Sequence, residues 1–406
     1  MKIKPFCALR PAAERAASLA SVPYDVVDTA EALRLADGNP DSFLHVARPE
    51  IDLPAGTDIY SDAVYAQGVK NFKSLQERGV LGYDDGEHVY LYRQIMDGHS
   101  QTGVVCCCSI DDYAGNVIRR HEKTRKDKED DRTRHTYELR ANTGPVFLTY
   151  RATDDLNRLM AETCAKAPLY DFTAVDGIQH TVWRVEGDAA EYVRAFAAVP
   201  VSYVADGHHR AASAYRVGTL CRSQKPDYDG TEEFNWFLAV LFPAEQLRIL
   251  PYNRCVVDLN GVSADAFLAK VKEIFRVEEG ASATPSAGRS ASMYLSGKWY
   301  RLEWDDPVDA DVVGKLDVSV LQDRLLAPVL GIADPRTDNR ISFIGGIRGT
   351  EELEKRVDSG RDAVAFSMYP VTVDEMMDIA DADAIMPPKS TWFEPKLRSG
   401  LLIHTF

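Results

Sequence analysis

Long apolar runs are missing from this chain of 406 residues. No segment approaches the roughly 20 consecutive apolar side chains that a helix needs to cross a bilayer, which excludes a helical membrane span. Met1 to Arg10 carries charges and no apolar core before Pro11 of the kind a secretory leader requires, so cytoplasmic residence is expected. Cysteine is sparse and unpatterned. Cys7, Cys106, Cys107, Cys108, Cys164, Cys221 and Cys255 form an odd set without paired metal-ligand spacing, which argues against both a disulfide framework and a thiolate zinc site. Positive charge is also in deficit: 47 Lys and Arg face 62 Asp and Glu, a net charge of −15 that opposes non-specific attraction to nucleic acid or an anionic membrane. Three enzyme signatures are absent as well, namely Gly-x-Gly-x-x-Gly after a strand, Gly-x-Ser-x-Gly, and His-Glu-x-x-His.

What is present describes a folded α+β protein. With 45% apolar and 27% charged residues the chain has ample material for a core, and its length favours two domains. The pattern is α+β without internal repeats. Strands are expected at Met1 to Leu9, Val89 to Met96, Thr102 to Ile110, Val201 to Ala205 and Asn235 to Phe242. Helices are expected at Asp28 to Leu35, Asp58 to Arg78, Asp188 to Ala198 and from Arg210 onward. A break after Phe242-Pro243 sets the expected boundary near residue 245, giving domains 1–245 and 246–406. The second holds a small-residue loop at 280–288, a helix at Ala264 to Phe275 and another at Val318 to Leu330. Cys106 to Cys108 sit in an apolar strand, where successive side chains alternate faces, and read as small buried residues.

The densest chemistry lies in Val204-Ala205-Asp206-Gly207-His208-His209-Arg210-Ala211-Ala212. A strand ends, Gly207 frees the backbone to turn, and small residues continue as a helix. A carboxylate, two imidazoles and a guanidinium are thereby expected at a helix N-terminus, where unpaired amides and the helix dipole favour an anion. Arg210 adds a grip on a phosphate and His208 or His209 handles protons. The plain alternative makes Asp206 the N-cap and leaves the rest as surface.

Asp206-Gly207-His208-His209-Arg210 resembles the phosphate-binding signature of the ParB/sulfiredoxin-like superfamily, and in particular that of nucleotide-dependent kinases of free L-serine. Over nearly its whole length the chain resembles the domain-of-unknown-function 1015 family. The resemblance is carried by Pro23-Tyr24-Asp25-Val26-Val27, Arg48-Pro49-Glu50, Arg120-His121-Glu122-Lys123-Thr124, Asp131-Arg132, the Asp206 motif, Leu316-Asp317-Val318-Ser319 and Met386-Pro387-Pro388-Lys389-Ser390-Thr391. It implies a mixed-sheet core of ParB/sulfiredoxin-like type with large elaborations and a second α+β region. It also implies phosphoryl transfer on a small metabolite, free L-serine or O-phospho-L-serine, with ADP or ATP as donor. Serine kinases use an upstream carboxylate as base; Asp25 is the counterpart in chain order, with Asp in place of Glu and a far longer separation from Asp206. Sulfiredoxin chemistry lacks its cysteine here, since the motif holds only histidines.

Residues 118–140 are a second loaded region, the densest cationic stretch of an acidic protein. A salt-bridge-laced helix is one reading. A mobile basic arm closing over phosphates is the other. The resemblance selects Arg120, His121, Glu122 and Arg132 as site residues. Glu122 serves either as a base or as a Mg2+ ligand, the latter together with Asp206. In Pro387-Pro388-Lys389-Ser390-Thr391, two prolines rigidify a loop that presents Lys389, Ser390 and Thr391 to a phosphate or carboxylate. The expected catalytic set is therefore Asp25, Glu122, Asp206, His208 and His209. The expected ligand-binding set is Arg120, His121, Arg132, Gly207, Arg210, Lys389, Ser390 and Thr391. A non-catalytic protein that binds a nucleotide or phosphometabolite would use the same anion sites without a proton acceptor. The expected partner is a small phosphorylated molecule or nucleotide rather than nucleic acid or membrane.

Overall fold

The computed structural model describes residues 1–187 and 189–406. The chain divides into two compact units, residues 1–247 with 395–406, and residues 248–394. The last twelve residues thus belong with the first unit, where the sequence reading had assigned everything beyond 245 to the second. Backbone pairing explains the difference: Ser399 exchanges bonds with Ser21, Ile403 with Leu9, and the Lys396 carbonyl accepts from the Gln94 side chain at 2.9 Å.

The first unit is built on a mixed nine-stranded sheet. Its strands are β1 (Ile3–Lys4), β2 (Tyr90–Met96), β3 (His99–Ser109), β4 (Ile118–Arg119), β5 (Val146–Tyr150), β6 (Tyr170–Thr173), β7 (Gln179–Arg184), β8 (Ser202–Asp206) and β9 (Trp236–Pro243), in the order β4-β8-β5-β9-β3-β2-β7-β6, with β1 also on β3. The β2–β3 hairpin turns at Asp97-Gly98, both at positive φ, the two-residue geometry that matches strand twist. That tight turn starts β3 at His99, three residues ahead of the expected Thr102. Cys106, Cys107 and Cys108 all lie in β3 and are fully buried, because both faces of the central sheet are covered.

Strand β4 runs parallel to β8, with Ile118 opposite Ser202 and Arg119 opposite Tyr203. Parallel neighbours exit at the same end of a sheet, so the residues after Arg119 and those after Asp206 emerge side by side. That single pairing assembles the site described below.

Three helices frame this end: α1 (Asp62–Glu77), α2 (Lys126–Leu139) and α3 (His208–Gln224). Most of the charged run 118–140 is α2, packed on α3 and α1 rather than standing away as an arm. Arg216 of α3 donates to Glu129 at 3.1 Å and Asp130 at 2.7 Å, and Tyr65 of α1 donates to buried Asp131 at 2.8 Å. Arg125 pairs with Asp127, Lys126 with Asp130, and Arg134 with Asp62, so the salt-bridge-laced reading describes this segment.

The second unit carries an antiparallel six-stranded sheet of β10 (Tyr252–Val256), β11 (Arg276–Glu279), β12 (Ser290–Leu295), β13 (Lys298–Glu303), β14 (Ile341–Gly345) and β15 (Val364–Met368), ordered β11-β13-β12-β15-β10-β14. The helix expected over Val318 to Leu330 is an α-turn at Asp317–Leu321 followed by a π-helical stretch at Gln322–Leu326. In the first unit, the helix expected from Asp188 is observed as Ala190–Ala197, and Asp188 itself lies outside the described residues.

Buried histidines are expected to make the first unit acid-labile. Burial pushes His135 down to about 4, and burial with the facing Arg398 pushes His180 down to about 3. Both are neutral in the fold, whereas the unfolded chain binds their protons below about pH 6.5. Their stabilising contribution is full above that pH and is lost as pH falls toward the folded values, at about 1.4 kcal/mol per unit for each group. The urea midpoint is expected to drop between pH 7.5 and pH 5, and His180→Gln to lose part of that drop. An unchanged pH dependence in the variant contradicts the assignment.

Candidate functional site

Strand β8 ends at Asp206 and α3 begins at His208, with Gly207 between them at φ +91. Glycine takes this left-handed conformation without the clash a Cβ brings, and a Cβ here would lie 3.1 Å from Arg210 Cζ. The helix starts earlier than expected, so His208, His209 and Arg210 form its first turn. Their N–H groups have no acceptor within the helix. The N-cap is Gly207, not Asp206.

Released from capping, Asp206 is the centre of an ion cluster. It accepts from Arg210 Nη2 at 2.8 Å and from Lys396 Nζ at 3.2 Å. Burial opposes its charge, but Lys396 and then Arg210 outweigh it and hold the carboxyl well below the usual range. Lys396 was missed by sequence reasoning. It lies 190 residues downstream, in the tail that returns to the sheet, and no local pattern marks it.

Arg210 does not present an open guanidinium. Nη1 donates to the Pro145 carbonyl and Nη2 to Asp206, while Nε is buried without a hydrogen-bond partner. Burial works against this cation, yet Asp25 and Asp206 together hold its pKa above the ordinary value. Asp25 is exposed, and its charge acts on Arg210, His209 and Tyr24. Arg132 stacks over the Tyr24 ring at 4.0 Å and pairs with Asp131. Tyr24, Arg132, Arg210, Thr143 and Ser399 are among the residues lining a cavity of about 40 Å³. His209 accepts the Arg125 backbone N–H on Nε2 at 3.1 Å, which leaves a neutral ring its proton on Nδ1. Burial lowers its pKa while Asp25 works in the other direction.

Behind the helix start, His121 and His208 meet edge to face, with ring centroids 4.6 Å apart and planes at 86°. Both are buried. Burial pushes His121 down to about 4, and burial with the neighbouring His121 pushes His208 well below its ordinary value. Glu122 Oε2 lies 4.0 Å from His208 Nδ1, and the Glu122 side chain is half exposed. The Arg120 guanidinium sits over the Tyr113 ring at 4.8 Å, and its charge also acts on His208.

Asp25, Arg120, His121, Glu122, Arg132, Asp206, Gly207, His208, His209 and Arg210 therefore all fall in the first unit, around one end of its sheet. Lys389, Ser390 and Thr391 belong to the second unit. There Ser390 Oγ donates to the Pro387 carbonyl at 2.7 Å, and Lys389 Nζ lies 5.4 Å from the Tyr252 ring centre.

One end of the mixed sheet of the first unit thus gathers Arg210 and Lys396 around the start of α3. Residues 3–319 match the family described as Protein of unknown function (DUF1015), and the chain belongs to that family. No curated protein matches it. Among solved structures it is similar to a free serine kinase in complex with AMP, at 11% identity over 74% of this chain and 91% of that one, with a TM-score of 0.36. It is also similar to a conserved hypothetical protein from Pyrococcus furiosus, at 12% identity over 74% and 94%, TM-score 0.35. A third is SbnI with a C-terminal truncation from Staphylococcus aureus, at 11% identity over 74% and 87%, TM-score 0.37.

Proposed function

We propose that this protein is a phosphoryl-transfer enzyme acting on a small hydroxylated metabolite, free L-serine or O-phospho-L-serine, with ADP or ATP as the nucleotide. The observation that carries the reading is the gathering of Arg210, with its buried and unpartnered Nε, Lys396 and the exposed carboxylate of Asp25 at the first turn of α3. Cations and helix amides stabilise phosphoryl oxygens, and a nearby carboxylate accepts the hydroxyl proton as the oxygen attacks.

In this assignment Arg210, His209 and the amides of 208–210 hold the transferred group. Arg132 completes the wall of a cavity with room for about three waters. Asp206 orients Arg210 and Lys396. Asp25 takes the proton in preference to His208, whose buried ring is too weak a base. The same groups serve transfer from nucleotide to serine and transfer from phosphoserine to water.

The sequence reading placed magnesium on Asp206 and Glu122. Both Asp206 oxygens are already taken, by Arg210 and Lys396, which leaves a magnesium ion one carboxylate and two imidazoles. That set does not suit an oxygen-seeking cation.

Arg210→Lys keeps the charge but removes the planar donor set. It is expected to weaken O-phosphoserine binding about tenfold, equivalent to about 1.4 kcal/mol, read from the phosphorus resonance in an NMR titration. An unchanged affinity contradicts this placement of the phosphoryl group.

A further inference from the structure

Two neighbouring buried imidazoles carry unmatched ring nitrogens in the first unit. Buried histidines elsewhere in the described chain are satisfied: His135 bonds the Val46 carbonyl, His180 contacts Tyr92 and Arg398, and His404 contacts Asn142 and Glu233. His121 differs, for both of its ring nitrogens are buried without a partner, and so is Nε2 of His208. A buried polar atom left unmatched costs about 1–3 kcal/mol, and each neutral imidazole has one nitrogen lone pair to offer, so the two rings point to a ligand that takes one nitrogen from each.

The third component is Glu122. One ligand atom from each of His121, Glu122 and His208 lies within 4.8 Å of the other two. Three protein donors around one ion sit roughly 3–3.5 Å apart at bond lengths near 2.1 Å. Fold topology accounts for the juxtaposition: parallel pairing of β4 with β8 sets the residues after Arg119 beside the start of α3. The charges facing the cluster are mixed. Asp206 acts favourably on both imidazoles, whereas Arg120 opposes a cation from the ring of Tyr113.

We propose that His121, Glu122 and His208 form a binding site for a divalent first-row transition ion, with two nitrogen ligands, one carboxylate and a position open toward solvent beside Glu122. Two imidazoles and a carboxylate select zinc, iron, cobalt or nickel over magnesium and calcium, which require mostly oxygen. Three protein ligands with one open position is the arrangement of a site that takes a water or substrate oxygen rather than of a closed structural site. The proposal stands apart from the phosphoryl-transfer reading, because it rests on the unmatched nitrogens and not on the anion corner.

Cobalt(II) is the probe. The full chain, stripped with a chelator and titrated with cobalt chloride, is expected to develop visible d–d absorption that saturates at one equivalent, and zinc is expected to displace it. Glu122→Gln, at a half-exposed position that leaves the core intact, is expected to weaken cobalt binding roughly tenfold or more, and His121→Phe by more than roughly 100-fold. His88→Ala serves as control: His88 belongs to a second acidic cluster whose Asp84 is already held by Arg10, Tyr90 and Arg184, and it should leave the titration unchanged. Absence of saturable cobalt binding overturns the proposal. So does binding that Glu122→Gln and His121→Phe leave intact, or a spectrum dominated by thiolate charge transfer. Each of these readouts is independent of turnover, so failure here leaves the phosphoryl-transfer reading to its own test.

Discussion

Asp206→Asn is expected to destabilise the protein by about 2–4 kcal/mol and to abolish phosphoryl chemistry. The amide preserves shape but removes an anion that bonds two largely enclosed cations, Arg210 and Lys396, whose side chains are 11% and 16% exposed. Breaking a buried pair from one side leaves less compensation for the remaining charge, which costs more than the pair contributed. Because the carboxyl of Asp206 is held below the ordinary range, its contribution is complete at neutral pH and is lost only as pH falls through that range toward the folded value. Urea denaturation at pH 7 measures the loss. Adding Lys396→Met to Asp206→Asn removes one of the two cations that Asp206 bonded and is expected to restore part of it. Additive effects of the two substitutions would mean that Lys396 and Asp206 do not interact energetically.

Asp25→Asn is expected to slow turnover sharply while leaving the fold in place. A carboxylate that accepts a proton in the transition state contributes typically 10²–10⁴ in rate. Asp25 is exposed and heads no ion cluster of its own, so the fold should tolerate the substitution. The expected result is a kcat lower by about 10²–10⁴ with O-phosphoserine affinity within about threefold of the parent. Unchanged turnover removes Asp25 from the mechanism. A loss carried entirely in affinity makes it a binding group instead.

The site's centre was legible because it is local. An apolar strand, a glycine that must turn at positive φ and a helix-compatible run sit within ten residues, and the structure has that order at Ser202–Asp206, Gly207 and His208–Gln224. The cysteine strand was legible for the same reason. What escaped is non-local. Lys396 reaches Asp206 only because the tail crosses back to the sheet, and Arg120, His121 and Glu122 reach His208 only through the parallel pairing of β4 with β8. The α2 helix was ambiguous because only Asp131, His135 and Leu139 of its fourteen residues are buried, and two of the three are polar. Charge pairing with Arg216 and Asp62 supplies much of what an apolar stripe would have announced.

Turnover itself is the most direct test. Phosphorus NMR of the purified protein with magnesium, incubated with L-serine plus ADP or ATP and separately with O-phosphoserine, reads the reaction in both directions. The account predicts phosphoserine formed only when nucleotide is present, or inorganic phosphate released from phosphoserine, and in either case lost in Asp25→Asn. Bound phosphorus resonances that shift in an Arg210-dependent way, with no new phosphorus species in either tube, would contradict it and identify a protein that binds the phosphorylated molecule without transforming it.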